Sequence, residues 1–171
     1  MKRILNTALF TLLGTIVGSS AASAQATATA TATANILTAI SISKTVDMNF
    51  GNVAVSSGSG GTVVLDPAGT RTATGGVTLP ATTGTVTAAS FTVTGEGSYT
   101  YAITLPAEAH SIASGANTMT VSSFTSTPSG TGTLSSGTQT LTVGATLNVS
   151  AAQATGLYVS AVGFSVTVNY N

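Results

Sequence analysis

The most constraining feature of this sequence is a two-residue rhythm. Apolar side chains recur at every second position in Val46, Met48 and Phe50, in Phe91 and Val93, and in Tyr99, Tyr101, Ile103 and Leu105. The rhythm returns in Leu141 with Val143, in Leu147 with Val149, and in Val162, Phe164, Val166, Val168 and Tyr170. Successive side chains of an extended strand point to opposite faces, so this pattern buries one face and leaves the other to water. No segment beyond the N-terminal region sustains helical periodicity; Ala151 to Ala154 allow a single turn at most. Thr fills the outward positions, where a β-branched hydroxyl residue fits a half-exposed pleat. About nine short strands separated by Gly, Ser, Asn and Pro predict an all-β domain, an antiparallel β-sandwich or barrel.

Two turns stand out. Asp66-Pro67-Ala68-Gly69 has Pro at the position where φ is fixed and Gly at the exit, which suits a β-turn after the strand Thr62–Leu65. Gly95-Glu96-Gly97-Ser98 separates two alternating runs and predicts a β-hairpin between Phe91–Thr94 and Tyr99–Leu105.

Charge then excludes whole classes of function. The chain holds 4 basic and 4 acidic residues, or 5% charged, against about 25% in ordinary domains. So few cations make no patch for a phosphate backbone, which argues against nucleic-acid binding. With no Cys there is no disulfide framework, thiolate metal site or cysteine nucleophile.

The N-terminus reads as an address. Lys2 and Arg3 precede a mostly apolar stretch from Ile4 to Val17, and Ala22-Ser23-Ala24 supplies a small-x-small cleavage site. Residues 1–24 are therefore expected to be a secretory signal peptide, with export through the periplasm to the cell surface or medium and no membrane span after cleavage. Residues 25–35 form a low-complexity extension, and residues 36–171 a single β domain. Without cysteine, its stability has to come from the core alone.

No catalytic constellation emerges. His110 is the one imidazole, and the bland reading of Glu108 and His110 is a loop after Pro106. The four acidic residues stand singly. Gly58, Gly60 and Gly61 have no following helix or nearby Lys to make a phosphate loop. Asn148-Val149-Ser150 fits a glycosylation triplet inside an expected strand. The expectation is a protein that is not an enzyme and carries no cofactor or metal.

The extension itself alternates. Ala26, Ala28, Ala30, Ala32 and Ala34 share one parity, and Ile36, Ile40 and Ile42 continue it. One extended strand is expected from the extension to about Ile42, suited to pairing beyond its own domain. One buried methyl stabilises by about 0.8 kcal/mol and one buried Ile by about 1.5–3 kcal/mol, so the isoleucines are the expected anchors. They also fix the register, because an Ala-Thr repeat slipped by two residues looks the same. The bland reading is a low-complexity tether.

The segments Ile40–Gly51, Gly61–Arg71, Ala89–Gly95, Tyr99–Pro106, Leu141–Leu147 and Gly163–Asn171 together resemble the bacterial family called domain of unknown function 4402. That resemblance covers nearly the whole chain after the signal peptide and implies no function. More loosely, the alternating N-terminus and the last strand with its penultimate Tyr170 resemble subunits of chaperone–usher pili and spore-coat-U type subunits. This second resemblance implies an immunoglobulin-like or pilin-like sandwich that lacks a strand. A neighbouring subunit fills the groove, and a periplasmic chaperone fills it beforehand.

Carried onto this chain, Ala26–Ala34 with Ile36, Ile40 and Ile42 would be the donor strand. Val162, Phe164, Val166, Val168 and Tyr170 would line the groove and face the chaperone. The usual subunit disulfide is missing, and no Gly aligns cleanly ahead of the C-terminus. The expected function is a fibre subunit that self-associates by donor-strand complementation, with a periplasmic chaperone and an outer-membrane usher as further partners. The alternative is a monomeric, adhesin-like binding module whose N-terminal run is only a tether.

Overall fold

The computed structural model describes residues 24–171. The signal peptide expected at the N-terminus therefore lies outside the described residues except for Ala24. Two units separate at Asn35. In the first, residues 24–35 carry no regular secondary structure and are exposed.

The second unit is all-β. Its strands are β1 (Ser41–Val46), β2 (Ala54–Val55), β3 (Gly61–Leu65), β4 (Arg71–Gly75), β5 (Val77–Thr78) and β6 (Ala89–Thr94). They continue as β7 (Thr100–Thr104), β8 (His110–Ser114), β9 (Asn117–Thr127), β10 (Thr131–Thr133), β11 (Thr138–Val149) and β12 (Thr167–Tyr170). Twelve strands replace the nine expected, chiefly because two-residue and three-residue pieces leave no readable alternation.

The domain is built around β11, the longest strand. β9 pairs along one edge of it. The other edge is shared, with Thr138–Val143 pairing β6 and Ala145–Val149 pairing β3. Gly144 sits where one partner gives way to the other. An added Cβ there would stand on the Leu65 carbonyl oxygen, 2.6 Å from the Asp66 carbonyl carbon and 2.8 Å from the Pro67 nitrogen. β1 extends the sheet beyond β6, β4 beyond β3, and β8 beyond β9, all antiparallel. A bulge in β9, with Ser123 at φ 52°, absorbs a register shift opposite Gly144–Thr146.

A second sheet, β10-β7-β12, faces one half of this large sheet. Between them lies a core of Ala89, Phe91 and Val93 from β6, Leu141 and Val143 from β11, Tyr101 from β7, Val168 from β12, and Leu134. The other half of the large sheet buries Val63, Val121, Ala145, Leu147 and Val149 under Val77, with Phe50, Val53, Val55 and Leu79 packed on them. The sandwich-like arrangement agrees with the sequence pattern.

The Asp66–Gly69 turn forms as expected. Gly69 N–H donates to the Asp66 carbonyl at 3.0 Å, the Asp66 side chain accepts from Thr70 N–H at 2.8 Å, and Gly69 takes φ 87°. The hairpin expected at Gly95–Ser98 does not form. β6 lies in the large sheet and β7 in the small one, so the turn is an arch between layers. Phe91, Val93 and Tyr101 consequently meet face to face in one core. Alternation reports which side chains point inward and cannot distinguish strands lying side by side from strands stacked across a core.

The last strand is also shorter than its alternation suggests. β12 covers Thr167–Tyr170, and residues 161–166 are outside any strand. Thr167 pairs Thr104, so continuation would set Ser165 opposite Pro106, which has no N–H to give a ladder.

The outward face of the large sheet is a set of hydroxyl rows. Ser41, Thr94 and Thr138 stand in one row across three strands, and Ser43, Thr92 and Thr140 in the next. Hydroxyls within rows bond one another, Ser41 to Thr94 and Thr62 to Thr74, each at 2.8 Å.

Candidate functional site

Two strand edges meet without joining. β1 pairs only β6, and β12 pairs only β7. Their Cα atoms nonetheless approach within 8 Å, with no ladder between them among the described residues. The result is a seam along one side of the sandwich, with the Phe91–Val168 core behind it. A free edge is a row of backbone donors and acceptors that invites another strand.

The end of the seam is closed by a small polar cluster. Tyr170 Oη donates to the Thr38 carbonyl at 2.8 Å and accepts from Glu96 N–H at 2.5 Å. The Glu96 carboxylate accepts from Thr38 Oγ1 at 2.7 Å and from Thr38 N–H at 3.1 Å. These bonds, led by the side-chain one, hold the Glu96 carboxyl below the usual carboxylate range. Gly95 lets the phenol in, since a Cβ there would collide with its oxygen and stand 3.0 Å from Leu134 Cδ1. The Tyr99 ring meets Tyr170 edge to face at 5.9 Å. Sequence reasoning singled out Tyr170 but missed Thr38 and Glu96. Nothing distinguished Glu96 from an ordinary turn residue.

The expected site residues divide. Ala26, Ala28, Ala30, Ala32 and Ala34 lie in the exposed stretch of residues 24–35. Ile36 is 92% exposed. Ile40 and Ile42 are instead half-buried against the core of their own domain, and β1 starts only at Ser41. The long single strand expected through Ile42 is therefore corrected: residues 24–40 carry no strand, and of the named positions only Ala26, Ala28, Ala30, Ala32, Ala34 and Ile36 are exposed. The cause is geometric: Ile42 is opposite Val93 on β6, so its parity is already used internally.

On the other wall, Val168 is buried, while Phe164, Val166 and Tyr170 are partly buried against the same core. Val162 is 75% exposed and off the strand, which removes it from the wall. Phe164 packs at the base of the sandwich against Phe124 at 4.9 Å and Phe91 at 6.4 Å.

The remaining candidates resolve into structure. His110 opens β8 with its ring 6.3 Å from Phe164 and its Nε2 buried without a partner, while Glu108 is exposed outside any strand. No group of three metal-ligating side chains exists among the described residues. Gly60 and Gly61 allow backbones to pass closely, since a Cβ on Gly60 would lie 2.6 Å from the Val149 carbonyl oxygen. Asn148 Nδ2 donates to Ser122 Oγ at 3.0 Å and to Thr120, which occupies the amide that glycosylation would need.

Fold and seam together define an all-β, sandwich-like domain organised on one shared central strand, with two free edges meeting at the N- and C-terminal strands. Within that class, the chain belongs to the family described as domain of unknown function (DUF4402), whose model matches residues 40–170. No curated protein and no solved structure matches it.

Proposed function

We propose that the protein is an exported structural subunit of a bacterial surface fibre, without catalytic activity. In this reading the Ala26–Ile36 segment of one copy adds as a strand to the seam between β1 and β12 of the next. The observation that carries it is the C-terminal strand, paired on one side only and facing β1, likewise paired on one side only, across a shared core.

Dimensions and chemistry support the match. The nine residues from Ala26 to Ala34 span about 30 Å when extended, against about 20 Å for the six of β1. The segment can therefore line the seam and still bridge to its own domain. Its small methyls suit a wall whose main core residue, Val168, is already buried, and Ile36 supplies the larger anchor. A periplasmic chaperone would cover the same edge before assembly at an outer-membrane usher.

The test is deletion of residues 25–36, which leaves Ile40 and Ile42 in place. Fibres seen by electron microscopy should disappear, and a synthetic peptide of residues 25–36 should bind the truncated protein and raise its Tm. Fibres that persist without the segment refute the proposal. A full chain that stays monomeric and a peptide that does not bind return the domain to the alternative, a self-complete binding module.

A further inference from the structure

Thr38 is held almost wholly by polar contacts. Ile36, Thr38 and Ala39 are exposed and Leu37 is half-buried, so little apolar area fixes this stretch. Two of its three polar bonds end on one carboxylate oxygen of Glu96, and the third comes from Tyr170. Hydrogen bonds to an ionised group are roughly twice as strong as those between neutral groups. We infer that Glu96 is a proton-controlled latch on residues 36–39: ionised, it fixes Thr38 to the arch between β6 and β7, and protonated, it lets this stretch go while the sandwich stays folded.

The surroundings isolate the latch. On the arch the titratable neighbour is Tyr99, and on β12 it is Tyr170. On β1 the cation Lys44 is engaged with Asp47 at 2.6 Å, the one ion pair among the described residues. Thr38 brings no charge of its own. The sign follows from the lowered pKa: the contribution is complete above the usual carboxylate range and disappears as pH falls through the depressed value. The inference rests on these contacts alone and holds whether or not the extension donates a strand.

The experiment is 15N relaxation of the labelled protein at about pH 7 and at an acid pH where the Glu96 side-chain carboxyl carbon signal shows it fully protonated. The Thr38 amide order parameter should fall from about 0.85 to below about 0.6, with Val93 and Leu141 unchanged. Glu96→Gln, which keeps the shape and removes the charge, should be loose at both pH values. Tyr170→Phe should loosen Thr38 at neutral pH yet keep a further loss on acidification. A Thr38 amide equally ordered at both pH values in the unaltered protein overturns the latch, as does a Glu96→Gln protein that retains the acid-dependent loss.

Discussion

Replacing Gly144 by Ala should destabilise the domain although Ala is the better residue for an ordinary backbone. The backbone of Gly144 is not in the left-handed region, so conformational entropy favours Ala by about 0.4–1 kcal/mol through the unfolded state. Against this, the new Cβ meets three backbone atoms of Leu65, Asp66 and Pro67, with two of the contacts at 2.6 and 2.8 Å. These atoms belong to β3 and its tight turn, which the Asp66–Thr70 bonds hold, so no flexible side chain can move aside. Overpacking of this kind costs about 1–3 kcal/mol or more. The net expectation is a loss of about 1–2 kcal/mol, or about 3–8 °C in Tm for a domain of this size. Gly163→Ala is the control, with nothing within 4 Å of its Cβ and no unusual φ; it should be neutral or slightly stabilising. Urea and thermal unfolding followed by far-UV circular dichroism would measure both. If Gly144→Ala is as stable as Gly163→Ala, the close approach of β3 to β11 at the partner change is wrong.

Other outcomes follow from the same contacts. Leu141→Ala removes a fully buried side chain from the inter-sheet core and should cost about 2–5 kcal/mol in urea unfolding. Tyr101→Phe deletes the 2.7 Å bond to Gln139 Oε1 and should cost about 0.5–1.5 kcal/mol. Burial raises the Tyr101 phenol above its ordinary value, so its stabilisation is complete below about pH 10 and is lost as pH climbs through the raised value. The pH dependence of Tm in alkali should therefore flatten in Tyr101→Phe. Asp66→Ala removes the side-chain acceptor for Thr70 N–H and should cost about 0.5–1.5 kcal/mol by the same unfolding assay.

Much of the fold was legible because inward positions are marked by parity. Val93, Leu141, Val143 and Val168 all lie at alternating positions and all end in the core. Parity is silent on which layer a strand joins, and so the glycines after Thr94 read as a hairpin where the chain makes an arch. It is silent, too, on length when a partner ends first, as Pro106 shows for residues 161–166. The candidate site was half visible. Tyr170 was marked by its place in the last strand, whereas Ile40 and Ile42 fit the donor pattern and the domain's own core equally well. Thr38 and Glu96 carry no sequence signal, since each is a common residue in a turn-rich stretch and only their juxtaposition gives them a role.

The hydroxyl rows across β1, β6 and β11 have a consequence for how copies of this domain respond to their medium. Surfaces that attract or repel through charge change their behaviour as salt shortens the range of the field, from about 30 Å at 0.01 M to about 3 Å at 1 M. A face made of Ser41, Thr94, Thr138, Ser43, Thr92 and Thr140 has no such field to screen. Contacts made by that face would depend on water and shape alone, and would hold as well in rain as in brine.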